Sequence, residues 1–249
     1  MSLDALPEPQ PAPHEPSRSQ QRTIAIAELL ICSSVPTQVA LGALLHAAGL
    51  QATEPGGALS FDFVLALSIG DTVLLVALMA LLTRAHGDSI AGLWLGARPI
   101  GREIGAGVLL IPVAFAMVVV VLNVLRVAAP WLHNVPTNPL EQLAATPGKA
   151  ALFAVIAIVA GGVREELQRA FLLRRFERHL GGALVGVVVL SAAFGLGHIV
   201  QGWDAVVTTA MLGAFWAVVY LRRRSVVAPI VSHSGFNTLE VLRVATLGS

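Results

Sequence analysis

Two adjacent carboxylates, Glu165 and Glu166, stand between two guanidiniums, Arg164 and Arg169, directly after the apolar run Ala150 to Ala160. Two imidazoles follow on separate apolar stretches, His198 and His233. Asn237 lies four residues after His233 and shares its helix face, and Phe194 lies four residues before His198, placed to wall a cavity beside it. An ionisable group at bilayer depth costs roughly 2.5–3.5 kcal/mol on insertion scales, so charges kept there are usually paired, face a cavity and serve a function. Glu and His together are the side chains of general acid–base chemistry. The plainer explanation of Glu165-Glu166, taken alone, is a solvated helix end where the chain leaves the membrane, and FxxxH or HxxxN alone is a weak signal. Their ordered occurrence after a Glu-Glu pair, each on its own apolar stretch, favours a site. Glu165 and Arg169, four apart, are expected to form an ion pair along one helix face, with Glu166 orienting Arg169 or the helix.

Composition sets these residues in a membrane. Of 249 residues 55% are hydrophobic and 12% charged, against about 25% charged in soluble domains, and the mean hydropathy is +0.76. A net charge of +1 gives no nucleic-acid footprint, and the single cysteine, Cys32, excludes an internal disulfide and reads as a packed thiol.

The elements that must position the site follow in order. Residues 1–22 are rich in proline, lack a signal-peptide apolar region and are expected to be a disordered cytoplasmic tail. Residues 23–149 form an N-terminal membrane region. Its first span, about Thr23 to Leu50, is kinked or broken at Pro36, and its second runs from about Phe63 to Leu82. An interfacial segment with Trp94 follows from Gly87 to Glu103, and a third span covers about Ile104 to Leu125. The prolines from Pro130 to Pro147 mark a long loop, with a short helix near Asn138 and Pro139. Residues 150–247 hold the helix with Glu165, ended by Gly181-Gly182, and three more: about Ala183 to Val200, Trp203 to Leu221, and Val226 to Leu247. The expectation is an all-α, polytopic membrane bundle of about seven spans. With the N-terminus in the cytoplasm, 13 of the 16 Lys and Arg fall on the cytoplasmic side, the bias that sets orientation. Glu28 and Asp71, inside predicted spans, have no evident partner, whereas Glu240 and Arg243 are spaced to pair.

Counted from the cytoplasmic ends of their helices at 1.5 Å per residue, Glu165 comes out about 13 Å deep, His233 about 10 Å and His198 about 18–23 Å. The motifs Glu165-Glu166, Phe194-xxx-His198 and His233-xxx-Asn237 together resemble the CPBP family, the CAAX-prenyl-protease and bacteriocin-processing intramembrane endopeptidases, marked by EExxxR, FxxxH and HxxxN on successive core helices. The resemblance covers about Ala150 to Leu247. The family's arginine falls five after its first Glu; here that position is Ala170, and Arg169 is taken as a shifted partner. If the arginine set the register instead, Arg164 would occupy the catalytic place.

The resemblance implies a four-helix catalytic core that hydrolyses a peptide bond in a cavity open to the cytoplasm. Glu165 with His198 would polarise a water as general base, and His233 and Asn237 would donate to the oxyanion. It implies a peptide or membrane-protein substrate, a lipid bilayer as surroundings, and an integral protein of a bacterial inner membrane. No cofactor is called for, although Glu165, His198 and His233 have the composition of a three-ligand Zn²⁺ site. The rival readings are a catalytically silent membrane scaffold or sensor, and a proton-coupled transporter, for which the chain shows no matching halves.

Overall fold

The computed structural model describes residues 17–247, so residues 1–16 of the expected tail lie outside it. Among the described residues the chain is helical throughout, with one isolated bridge, Thr53 to Leu59, and no strand. Helix α1 (Arg18–Ile31) starts inside the expected tail, because Ser17 and Gln20 form a capping box around its first turn. Its span breaks at residues 32–34, where Ser34 takes φ 72°, and α2 (Val35–Ala47) restarts with Pro36 in its first turn. Proline lacks the N–H that a continuous helix would need there, so the break expected at Pro36 is present just ahead of it.

Helix α3 (Phe61–Ala85) leads to the short α4 (Ile90–Trp94), and α5 (Ile100–Ala128) follows. Pro130–Leu132 and Pro139–Ala144 are 3₁₀ turns of the long loop. From Thr146, whose hydroxyl caps the next helix, one rod runs to residue 179 in three parts: α6 (Pro147–Ile156), a π-helical stretch (Ala157–Arg164) and α7 (Glu165–His179). Gly181 and Gly182, both at φ 96°, turn the chain into α8 (Ala183–Leu196). A 3₁₀ turn (Ile199–Gln201), α9 (Trp203–Arg223) and α10 (Val227–Leu247) complete the fold.

Among the described residues four helical segments are long and apolar enough to cross a membrane, Arg18–Ala47, Phe61–Ala85, Ile100–Ala128 and Trp203–Arg223. The three other spans expected from sequence are helical too, but the rod and α10 carry charges, and α8, with 14 residues, reaches only about 21 Å of a roughly 30 Å hydrocarbon core. Apolar side chains face outward, Leu109 at 73%, Leu184 at 77% and Val127 at 86% exposure, whereas Glu28, Asp71, Glu103, Glu166, Arg164, Arg169 and Arg175 are buried. That inversion suits a bundle whose solvent is lipid and whose polar groups must be satisfied inside.

The buried charges are paired across helices. Glu28 meets Arg175 and His86, and Asp71 meets Arg164, which supplies the partners that the sequence did not show. Glu103 takes both Nε and Nη2 of Arg223, at 2.7 and 2.8 Å. Helix α10 packs on α5 and on the π-helical stretch, and α8 packs on α9.

Candidate active site

The π-helical stretch ends where the carboxylates begin. Within it, Gly161 and Gly162 let α10 approach the backbone: a Cβ on Gly162 would stand 1.9 Å from Ser234 Oγ, and one on Gly161 2.6 Å from Asn237 Nδ2. Asn237 Nδ2 donates to the first carbonyl of the stretch, Ala157 O, at 3.1 Å. The two contacts fix α10, and with it His233, against the start of α7.

Glu166 is 1% exposed and is the centre of the cluster. Its Oε1 accepts from Arg169 and from His233 Nδ1, the latter at 2.9 Å, while its Oε2 is buried with no partner. His233 is buried and stacks on Trp216, ring centroids 3.7 Å apart at 15°, and Trp216 Nε1 donates to Oγ of the preceding residue, Ser232. With Nδ1 donating to a carboxylate, neutral His233 keeps its Nε2 lone pair free, and that nitrogen lies 3.9 Å from Glu165 Oε2. Glu165 is less enclosed, its side chain 19% exposed, and its Oε1 accepts from Arg164 Nη2 at 3.1 Å.

Arg169 does not pair with Glu165 as its four-residue spacing suggested. It turns inward over Phe194, 4.8 Å from its centroid, and takes Glu166 instead. Glu165 and Glu166 are successive residues about 100° apart around a helix, so only one of them can share that inward face with Arg169. Arg164 points to the opposite side, into α2 and α3, and the side chains that reach His233 are Glu165 and Glu166.

His198 lies beyond the helix expected to contain it. Helix α8 stops at Leu196, with Gly197 as its cap, and a 3₁₀ turn follows. Gly195 presses on α9, where a Cβ would stand 2.4 Å from Val206 O, so the two backbones converge at the point where α8 ends. His198 Nδ1 donates to Phe194 O at 2.9 Å. Phe194 is edge-on to both histidines, 5.1 Å from the His198 ring and 6.1 Å from the His233 ring, and so is the wall the two share.

The contacts therefore link Glu165 and Glu166 to His233, Glu166 to Arg169, and Phe194 to Arg169 and both histidines, while Asn237 stands one turn after His233 against the π-helical stretch. The sequence did not disclose Trp216 or Asp71 as members of this neighbourhood, and it placed Arg164 beside the carboxylates without its partners Ser34 and Asp71. Among the described residues no three His, Cys, Asp or Glu side chains are gathered closely enough to hold a metal ion, so the donors as arranged do not fit a three-ligand Zn²⁺ centre. A groove of about 600 Å³ between α4, α7 and α10 ends near this region, at Leu167 beside Glu166 and at Ile230 one turn before His233, without including either acid or either histidine.

The family model of the type II CAAX prenyl endopeptidase Rce1-like proteins matches residues 147–239, from the first turn of α6 to two residues past Asn237. No curated protein and no solved structure matches the chain. The matched segment holds all three motifs, and the structure folds it as the charged rod, α8, α9 and α10. Residues 147–239, set in a helical membrane bundle, are thus similar to the Rce1-like, CPBP-type intramembrane endopeptidases.

Proposed function

We propose that the protein hydrolyses a peptide bond with a water held between Glu165 and His233. The observation that carries this reading is the 3.9 Å between Glu165 Oε2 and His233 Nε2: too long for a direct hydrogen bond, and short enough for one water to touch both atoms. Glu165 takes the proton of that water as general base. Glu166 fixes His233 through Nδ1, so that its Nε2 lone pair accepts the water's other hydrogen; the water oxygen attacks the carbonyl carbon, whose oxygen becomes the oxyanion, and the proton that Glu165 took passes from it to the leaving nitrogen. Asn237 has a second Nδ2 hydrogen beside the one given to Ala157 O, available to the same oxyanion.

His198 enters this scheme as a second imidazole on the far side of Phe194: with Nδ1 donating to Phe194 O, its Nε2 accepts from an N–H of the substrate rather than fixing Glu165. No step is routed through a metal. The substrate class that the family description suggests is a CAAX tail, a peptide with a prenylated cysteine near its C-terminus. In this reading substrate reaches the site from the cytoplasm, the side on which the arginine bias favours the N-terminus, in a bacterial inner membrane.

The test is cleavage of a quenched fluorescent peptide, with a farnesylated cysteine four residues from its C-terminus, by protein reconstituted in liposomes. Glu165→Gln and His233→Ala are expected to lose about 10²–10⁴-fold in kcat, and His198→Ala at least tenfold. A chelator is expected to leave the rate unchanged. Wild type no faster than Glu165→Gln on this and on unprenylated membrane peptides would leave the scaffold reading standing.

A further inference from the structure

Arg164 joins the acid at the site to residues far outside the matched segment. It is buried, and its three guanidinium nitrogens are all engaged: Nε donates to Ala160 O at 3.1 Å, Nη2 to Glu165 Oε1 at 3.1 Å, and Nη1 to both Ser34 Oγ at 2.7 Å and Asp71 Oδ2 at 2.9 Å. Asp71, on α3 and 1% exposed, is held in turn by Thr37 and, at 3.2 Å, by Gln38, both on α2. Ser34 is the residue at φ 72° in the break of the first span, and Gln168, one turn after Glu165, donates to its Oγ and to Cys32 O. The break in the first span is thereby pinned to the helix that carries Glu165.

We infer that Asp71 and Arg164 are positioning residues of the reaction: Asp71 anchors Arg164, and Arg164 holds one oxygen of Glu165 so that the other, Oε2, faces His233. A free glutamate has three rotatable bonds, and fixing Oε1 selects the rotamer in which the base meets the water. Arginine is required because a planar fork spans four acceptors in three directions, which an ammonium cannot do. Helices α1 to α3 thereby complete a site whose motifs all lie on later helices. This inference rests on Glu165 as the base.

The experiment measures kcat and KM on the farnesylated peptide in liposomes for Asp71→Asn, Arg164→Gln, Arg164→Lys and the double variant Asp71→Asn/Arg164→Gln. Each is first checked for monodispersity in detergent and for its thermal midpoint. A displacement of about 1 Å at a reacting group can cost about 10²-fold. Asp71→Asn is expected to lower kcat tenfold or more with KM within twofold. Arg164→Lys is expected to fall as far as Arg164→Gln, and the double variant no further than Arg164→Gln, because Asp71 acts only through the arginine. Glu240→Gln, at an exposed ion pair on α10, serves as the unaffected control.

Rescue by Arg164→Lys, or losses of Asp71→Asn and Arg164→Gln that multiply in the double variant, would overturn the inference. Because a removed partner can unfold a buried pair, a second readout needs no turnover: the infrared carboxylate band that vanishes in Glu165→Gln is expected to shift in folded Asp71→Asn. An unmoved band refutes the coupling even where the midpoint has dropped. A wild type no faster than Glu165→Gln would instead sink the endopeptidase reading, while the band would still report whether Asp71 reaches Glu165.

Discussion

A single methyl group separates the packed site from a disrupted one at Gly162. A Cβ at this position would meet backbone as well as side chain, Ser234 Oγ at 1.9 Å, Cβ at 2.9 Å and Cα at 3.0 Å, so no rotamer change of Ser234 makes room. Gly162→Ala must push α10 away from the rod, at about 1–3 kcal/mol as for other overpacked interiors, and must carry His233 from Glu165 and Glu166. The expected result is a lower thermal midpoint in detergent together with lost cleavage. Gly101→Ala, at a helical position with nothing within 4 Å, is expected to leave both unharmed. At this scale the sequence disclosed residue types but not pairings. Glu165, Glu166 and His233 were legible because charges and imidazoles amid apolar runs demand a reason. The choice of Glu166 over Glu165 as the partner of Arg169 was not, since spacings of three and four are both neighbours on a helix. Asp71 and Arg164 are 93 positions apart, and nothing local in either helix announces the other.

Between elements, the breaks matter as much as the helices. The stop before Pro36 was legible, because a missing N–H has a local cause; the π-helical stretch and the early end of α8 were not, because both answer to close approaches of other helices at Gly161, Gly162 and Gly195. Glycine pairs in the sequence were compatible with a turn, a crossing or a flexible joint, and only the packed neighbours decide. The short α4 is tied to the end of α7 by Arg178, which donates from both Nη atoms to Asp88 at 2.6 and 2.8 Å. Outside the spans, that hydrogen bond first, and the charges of Arg178, Arg174 and Arg175 after it, hold the Asp88 carboxyl below its ordinary 3.8 despite some burial that works the other way. A depressed carboxyl contributes stability that is fully present above its unfolded value and is lost as the pH falls through the folded one. The pair is partly exposed, so its contribution is at most about 1 kcal/mol. Asp88→Asn should therefore lower the thermal midpoint slightly at pH 7, and the gap from wild type should close as the pH drops from about 5 towards 3. A gap that stays constant across that range would show that the link between α4 and α7 is not electrostatic.

For the whole molecule, the direction of insertion decides what can reach the site. Helices α3, α7 and α9 end in arginine-bearing turns, Arg84, Arg178 and Arg223, and the acids at this end, Asp88, Glu177 and Glu103, partner only some of that charge. At the other end, the loop after α5 is pinned to the turn after His198 by His133 on Asp204, Asn134 on the Trp203 N–H and Asn138 on Gln201, with Arg126 in the last turn of α5 and Lys149 as the Lys and Arg nearby in sequence. Basic residues stay on the cytoplasmic side because translocating them is costly, and the bias holds over short loops such as these. The bundle should then present the start of α1 and the groove between α4, α7 and α10 to the cytoplasm, and the loops beside His198 to the outside. That places His233 nearer the cytoplasmic ends of its neighbours than His198, which agrees with α8 running outward before it stops. The native cysteine is buried, so single introduced thiols report topology cleanly. Glu54→Cys, in the exposed loop before α3, should be alkylated by a membrane-impermeant maleimide in spheroplasts, and Ser19→Cys only after the membrane is opened. The reverse pattern would put the groove and the arginine-rich ends outside, and a substrate made in the cytoplasm would meet the loops around His198 first.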